Sequence, residues 1–216
     1  MINNRMSTFF VIFILIHLWY KNKKIVLTTT ELYQELNYVN HSREKRLHYA
    51  HLIQDNPDLV PKLLDILFMV DDKVSPRAAW VFEFMCNHNI NTLMPYIDTF
   101  TENMHKVHLD SAVRPVAKIC ELLARAYDTK TNIYIKNTFK ETHKERIIET
   151  CFDYMINDEK VAAKAYSMVT LFLLGKDYGW VHPELELILK RDFQIQSAAF
   201  KARARHILKK IKRVNN

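Results

Sequence analysis

The sequence predicts an all-α chain built as an α-solenoid of stacked helix pairs, on three observations. Arg77, Arg114, Lys164 and Lys201 stand 37, 50 and 37 residues apart, each on a stretch that reads as an inner helix. The pattern returns on itself after 87 residues: Asp71-Asp72-Lys73-Val74-Ser75-Pro76-Arg77-Ala78 answers to Asp158-Glu159-Lys160-Val161-Ala162-Ala163-Lys164-Ala165, and Pro95 answers nearly to Pro183. Units of this length bury an apolar face only by stacking on their neighbours. Finally, Gly175 and Gly179 are the only glycines. That leaves too few for hairpin turns or a phosphate-cradling loop, and so argues against a Rossmann or P-loop fold.

The helix punctuation is legible from Thr28 onward. Thr28-x-x-Glu31 is a capping box that opens a helix from about Thr30 to Tyr38, and Ser42 opens a second running to about Gln54. Asn56-Pro57 restarts the chain, since the first turn of a helix has no acceptor for the missing proline N–H. The helix from about Asp58 to Met69 carries Leu63, Leu64, Leu67 and Phe68 as an apolar stripe. Ser75-Pro76 opens the next, ending near Cys86 with Trp80, Val81, Phe84 and Met85. Pro95 starts one ending near Met104, and Asp110 caps one ending near Tyr127, which Pro115 should bend. Asp128 to Lys140, rich in Thr, Asn and Lys, reads as the one long connection, a seam between halves 57–127 and 144–214. Helices from about Lys144 to Ile156, Glu159 to Leu174, Pro183 to Phe193 and Ser197 to Val214 follow, with Gly175 as a C-capping stop. The total is ten helices in five antiparallel pairs, and Trp80, Phe84, Leu122, Met168 and Leu171 are expected in the core.

Residues 1–27 look foreign to the rest, which forms a single repeat domain over 28–216. Phe9 to Leu18 is strongly apolar, yet shorter than the about 20 residues a spanning helix needs, and Trp19-Tyr20-Lys21 stands where a cleavage site would want small residues. The segment is expected to be a start site assigned too far upstream, with Val26 or Leu27 as the true beginning; a short anchor is the alternative. Contact with a membrane is expected only if these residues are genuinely translated.

Charge divides unevenly. Of the net +7, residues 1–27 carry +4 and residues 190–216 carry +8, so residues 28–189 are net −5. An acidic body with a basic last helix implies either a localised contact or a solvated end cap. Three single cysteines, Cys86, Cys120 and Cys151, lie in apolar helical patterns without a CxxC, as buried hydrophobes of a reducing compartment do. A cytoplasmic protein is expected.

The aspartate turn, the valine, and the basic residue followed by alanine resemble the second helix of HEAT repeats, over residues 57–211. That resemblance implies inner helices lining a concave surface that receives protein or nucleic acid. It also implies a ladder in which Asp72, Asp110 and Asp158 pair with Arg77, Arg114 and Lys164, with Lys201 in the equivalent place of the last repeat. A phosphate-binding row is the sharper reading of the same cations, and the acidic body opposes it.

Catalytic patterns are thin. His105-x-x-His108 with Asp110, and His48-x-x-His51 with Glu44, each fall short of a metal ligand set. There is no GxSxG, HExxH or SxxK. Adenylosuccinate lyase activity is not expected, although short helical proteins of this look are sometimes given that label: Met94-Pro95 lacks every flanking element of the lyase signature, and the chain has about half the length their helix bundle needs. The expected function is therefore a non-enzymatic binding scaffold for a protein partner, without a cofactor. The alternative is nucleic-acid binding, as in HEAT-like DNA-repair modules, through a basic terminal helix carrying Arg205, Lys209, Lys210, Lys212 and Arg213.

Overall fold

A computed structural model of the chain describes residues 26–129 and 131–214; the leader lies outside the described residues apart from its last two. Among them are eleven α-helices: α1 (Thr29–Leu36), α2 (Arg43–Asp55), α3 (Val60–Leu67), α4 (Ser75–His88), α5 (Ile97–Asn103), α6 (Asp110–Asp128), α7 (Ile133–Thr138), α8 (Glu141–Ile156), α9 (Val161–Leu174), α10 (Val181–Asp192) and α11 (Ala198–Val214). They form two layers. α2, α4, α6, α9 and α11 pack each on the next, and α1, α3, α5, α8 and α10 lie behind them as the first helices of five pairs. An offset of about 87 residues lays α3 within α8, α4 along α9, α5 within α10 and α6 along α11, as an internal repeat requires.

Local chemistry explains the starts. The Thr28 Oγ1 accepts from the Glu31 N–H at 3.2 Å and the Glu31 carboxylate accepts from the Thr28 N–H at 2.8 Å, closing the capping box of α1. Ser42 Oγ accepts from the Lys45 N–H at 3.3 Å at the start of α2. Two helices are preceded by a tighter turn that holds a proline. Pro57 opens a 3₁₀ turn, Pro57–Leu59, and Pro95 sits within another, Ile90–Tyr96, so α3 and α5 begin later than the apolar stripes suggest. Pro61 and Pro95 have no N–H to give the carbonyls of Pro57 and Asn91 four residues earlier, so the α-helical ladder starts late.

The seam holds one more helix than the sequence suggests. α7 is capped by the Asn132 side chain, which accepts from the Ile135 N–H at 3.1 Å, and it buries Ile135 alone. A helix of so few residues with one buried side chain has no periodicity to read.

Among the described residues Phe82, Phe100 and Phe200 are the largest fully buried side chains, and Phe82 meets Phe100 across the layers at 5.8 Å between ring centroids. Met168 and Leu171 are buried as expected, whereas Trp80, Phe84 and Leu122 are only partly buried. Ala78, Ala79, Val81, Phe82 and Met85 take the inward face of α4. Trp80 and Phe84, one turn apart, are left on its flank.

Gly175 ends α9, but in right-handed conformation (φ −61°), so left-handed freedom is not its purpose. A Cβ there would stand 2.5 Å from His182 Cδ2 and 2.7 Å from the Leu171 carbonyl oxygen. The residue is glycine because the His182 ring packs where a side chain would be. That ring bonds through Nε2 to the Phe172 carbonyl at 2.8 Å and stacks on Phe172 at 12°.

Candidate functional site

The basic residues that define the repeat do not form the expected ladder. Asp72 accepts from the Tyr33 hydroxyl at 3.0 Å and from the Val74 N–H at 2.7 Å, while Arg77 donates to the backbone carbonyl of Asn37, the residue that ends α1. Arg114 holds Glu83 of α4 in a two-pronged pair, 3.1 and 2.6 Å. Asp110 lies 3.5 Å from Lys160, and the buried Lys164 donates to the Met155 carbonyl at 3.1 Å in the last turn of α8. Asp158 is exposed, and Lys201 donates to the Gln194 carbonyl at 3.0 Å. The observed pairing has a physical reason. In the first half, Arg77 and Arg114 have the reach and planar fork to grip the preceding repeat, whereas Lys164 and Lys201, as compact point charges, neutralise carbonyls at or just past the end of their own pair's first helix. The pairing aspartates stay in their turns, where Asp72 is occupied by backbone and tyrosine.

What the fold does bring together lies where the second-layer helices begin. His41 and Arg46 from the start of α2, Trp80 from α4, Asp110, Ser111 and Arg114 from the first turns of α6, and Lys160 and Ala162 around the start of α9 line a groove of about 440 Å³. It is within the common range for ligand sites, about 300–1,000 Å³. Trp80 forms one wall. Its indole Nε1–H donates to the Ser111 carbonyl oxygen at 2.8 Å, the His41 ring lies 4.9 Å away, and the Arg46 guanidinium sits over Trp80 at 5.5 Å and over Phe84 at 5.3 Å.

The Trp80 bond depends on Pro115. In an α-helix the Ser111 carbonyl would accept from the N–H of residue 115, but Pro115 has none. The indole of the preceding repeat supplies the donor instead, so Pro115 leaves an acceptor free to join two repeats.

The three cations of the groove differ in how they are held. Arg114 is balanced by Glu83, which is mostly buried. Lys160, whose side chain is 73% exposed, has among the described residues only the loose contact with Asp110. Arg46 donates from its guanidinium to the carbonyls of His41 and Ser42, with no carboxylate partner among the described residues. Beside the groove, burial raises the Glu159 carboxyl above its usual range; the Asp110 charge adds to this and Lys164 opposes it.

Two polar clusters lie elsewhere. His143, fully buried on α8, accepts the Lys140 N–H through Nδ1 at 3.1 Å, which fixes its Nε2–H as the donor to Asp98 of α5 at 2.6 Å. That hydrogen bond lowers the Asp98 carboxyl, and burial opposes it only in part. Lys144 lies against the Tyr127 and Tyr178 rings, with Nζ 3.0 Å from Glu141 and 3.2 Å from the Tyr127 hydroxyl. Burial alone would depress this amine, but its hydrogen-bonding partners, first Glu141 and then Tyr127, raise it, as in a structural tie across the seam.

The C-terminal cations disperse on α11. Arg205 lies over Phe193 at 5.3 Å and Lys210 over Phe172 at 5.4 Å, while Lys209, Lys212 and Arg213 are exposed. The histidine pairs also separate: His108 faces Asp71 at 3.2 Å, and His51 meets His88 edge-on at 5.7 Å. Among the described residues no three His, Cys, Asp or Glu side chains gather as a metal ion would require, and no helix is long and apolar enough to cross a membrane.

Sequence reasoning passed over Arg46 and Lys160. The available signals were their positions: Arg46 is one turn beyond the Ser42 cap, and Lys160 precedes the first residue of α9. Trp80 carried a signal too, lying three residues beyond Arg77 and so on the same helical face.

Among protein families, one described as HEAT repeat domain matches residues 33–211. No curated protein and no solved structure matches the chain.

Proposed function

The chain belongs to the HEAT repeat family, and on that premise we propose that it is a non-enzymatic scaffold that receives a protein partner along the edge where its second-layer helices begin. HEAT repeats are helical-repeat scaffolds that typically mediate protein interactions, and their stacked second helices give an extended binding face. The observation that carries the reading is the groove from His41 to Ala162, which draws its walls from four consecutive second-layer helices. A surface assembled by stacking is what a repeat protein has to offer, because no single helix pair makes it. Exposed Lys160 and Ser111 keep this edge accessible, while Arg77, Lys164 and Lys201 are engaged with backbone carbonyls.

A photo-crosslinking amino acid at Ala162, in the groove, tests the proposal against the same amino acid at Leu187, exposed on α10. In native lysate the Ala162 position should give a discrete protein adduct that the Leu187 position lacks. Equal adducts from both positions would refute the site. Nuclease-sensitive adducts alone would favour the nucleic-acid alternative instead.

A further inference from the structure

We propose that the groove reads an acidic peptide, a short carboxylate-bearing segment whose apolar residue rests on Trp80 while Arg46 and Lys160 take its carboxylates. The inference rests on the scaffold reading and specifies its ligand.

The argument is one of charge and of available donors. Residues 28–189 are net acidic, yet the groove is lined by Arg46, Arg114 and Lys160 against Asp110 alone. Such a local reversal of sign is not a property of the composition. Arg114 is spoken for by Glu83, which also fixes its guanidinium in place. Lys160 is bound only loosely, at 3.5 Å, to an Asp110 that is itself 57% exposed, and such a surface pair exchanges readily for a better-placed carboxylate. Arg46 spends hydrogen bonds on two main-chain carbonyls of its own segment and has no carboxylate partner among the described residues. Its guanidinium is stacked on Trp80 and Phe84, so little side-chain entropy is left to lose when a carboxylate arrives. Recognition of acidic motifs by positioned basic side chains follows this pattern.

The aromatic wall argues for a peptide with an apolar residue rather than a simple anion. The Trp80 indole N–H is already committed to Ser111, so what the side chain offers a ligand is apolar ring surface. A nucleic-acid strand would use the same ring, but it carries a charge at every nucleotide and needs cations along its whole track. Outside this groove residues 28–189 are net acidic, and Asp71 stands with its side chain 91% exposed. A peptide can confine its charge to the groove, and a phosphodiester chain cannot.

The test is fluorescence anisotropy of the full chain with a labelled peptide that sets four glutamates around one phenylalanine. Its lysine counterpart and a labelled oligothymidine serve as the comparison probes. The glutamate peptide should bind, and raised salt should weaken it. Arg46→Gln with Lys160→Gln should weaken it by about tenfold or more, as loss of two charge-assisted contacts implies. Lys209→Gln, Lys212→Gln and Arg213→Gln together, which remove more charge from α11, should change it by less than about twofold if the contact is local. Ser111→Glu sets a carboxylate in the groove on an exposed first turn and should abolish binding with the melting temperature unchanged, which guards against a misfolded double variant. Equal loss from the α11 variant, retention in Ser111→Glu, or tighter binding of oligothymidine would overturn the proposal. Failure of the glutamate peptide while the Ala162 crosslink to protein persists would overturn the acidic ligand and leave the scaffold standing.

Discussion

The bond from Trp80 to Ser111 predicts a measurable coupling between two residues that are not in the same repeat. Trp80→Phe removes the indole donor and part of the ring. The hydrogen bond itself contributes about 0.5–1.5 kcal/mol. Replacing Pro115 by Ala supplies an N–H at position 115, which can close the missing α-helical bond to the Ser111 carbonyl at about 2.9 Å. In that background the oxygen no longer depends on Trp80. A double-mutant cycle of Trp80→Phe and Pro115→Ala should therefore show a coupling of about 0.5–1.5 kcal/mol, with Trp80→Phe costing less once Pro115 is gone. The ring and cavity terms of each single substitution cancel in the cycle. The assay is denaturant unfolding of the full chain, followed by helical circular dichroism, with the slopes compared to confirm one transition. Costs that add to within about 0.3–0.5 kcal/mol would refute the reasoning. Water, which can reach this exposed turn, would then satisfy Ser111 as well as the indole does.

Gly175→Ala should destabilise the protein by about 1–3 kcal/mol in the same titration, because the added Cβ meets the His182 ring and the Leu171 carbonyl. Gly179→Ala, with nothing within 4 Å of the added Cβ, should stay within about 0.5 kcal/mol, and equal costs would remove the packing explanation. The Asp98 carboxyl is lowered in the folded state by its bond from His143. Its contribution is therefore fully present above the unfolded pKa of about 3.9 and is lost as pH falls through the lower folded value. Asp98→Asn should reduce the melting temperature near neutrality and leave a smaller difference near pH 3. A difference independent of pH would detach Asp98 from the acid response.

Much of the fold was legible in the sequence because its signals are local. The Thr28 and Ser42 caps, the prolines and the apolar stripes of α4, α6, α9 and α11 each act within a turn or two of chain. The repeat near 87 residues fixes their order by self-similarity. α7 was illegible for the same reason: a helix with a single buried residue, Ile135, has too little pattern to be distinguished from a polar connection.

The candidate site was legible only in part. Spacing found Asp110 and Arg114 and placed both on the inner row. It could not tell that Arg114 would take Glu83 of the preceding repeat rather than an aspartate, since that choice depends on how far one repeat rotates over the next. Nor could it tell that Trp80 would stand at an edge under Arg46 rather than in the core. Gly175 reads as a C-cap by residue type and proves to be a packing residue set by His182, which arrives from the next helix. By itself the sequence determined an all-α repeat scaffold, because hydrophobic period and capping are encoded residue by residue. Only the tertiary structure decided which side chains meet, because the groove, the Arg114–Glu83 pair and the Trp80–Ser111 bond join residues 31 or more positions apart across stacked repeats.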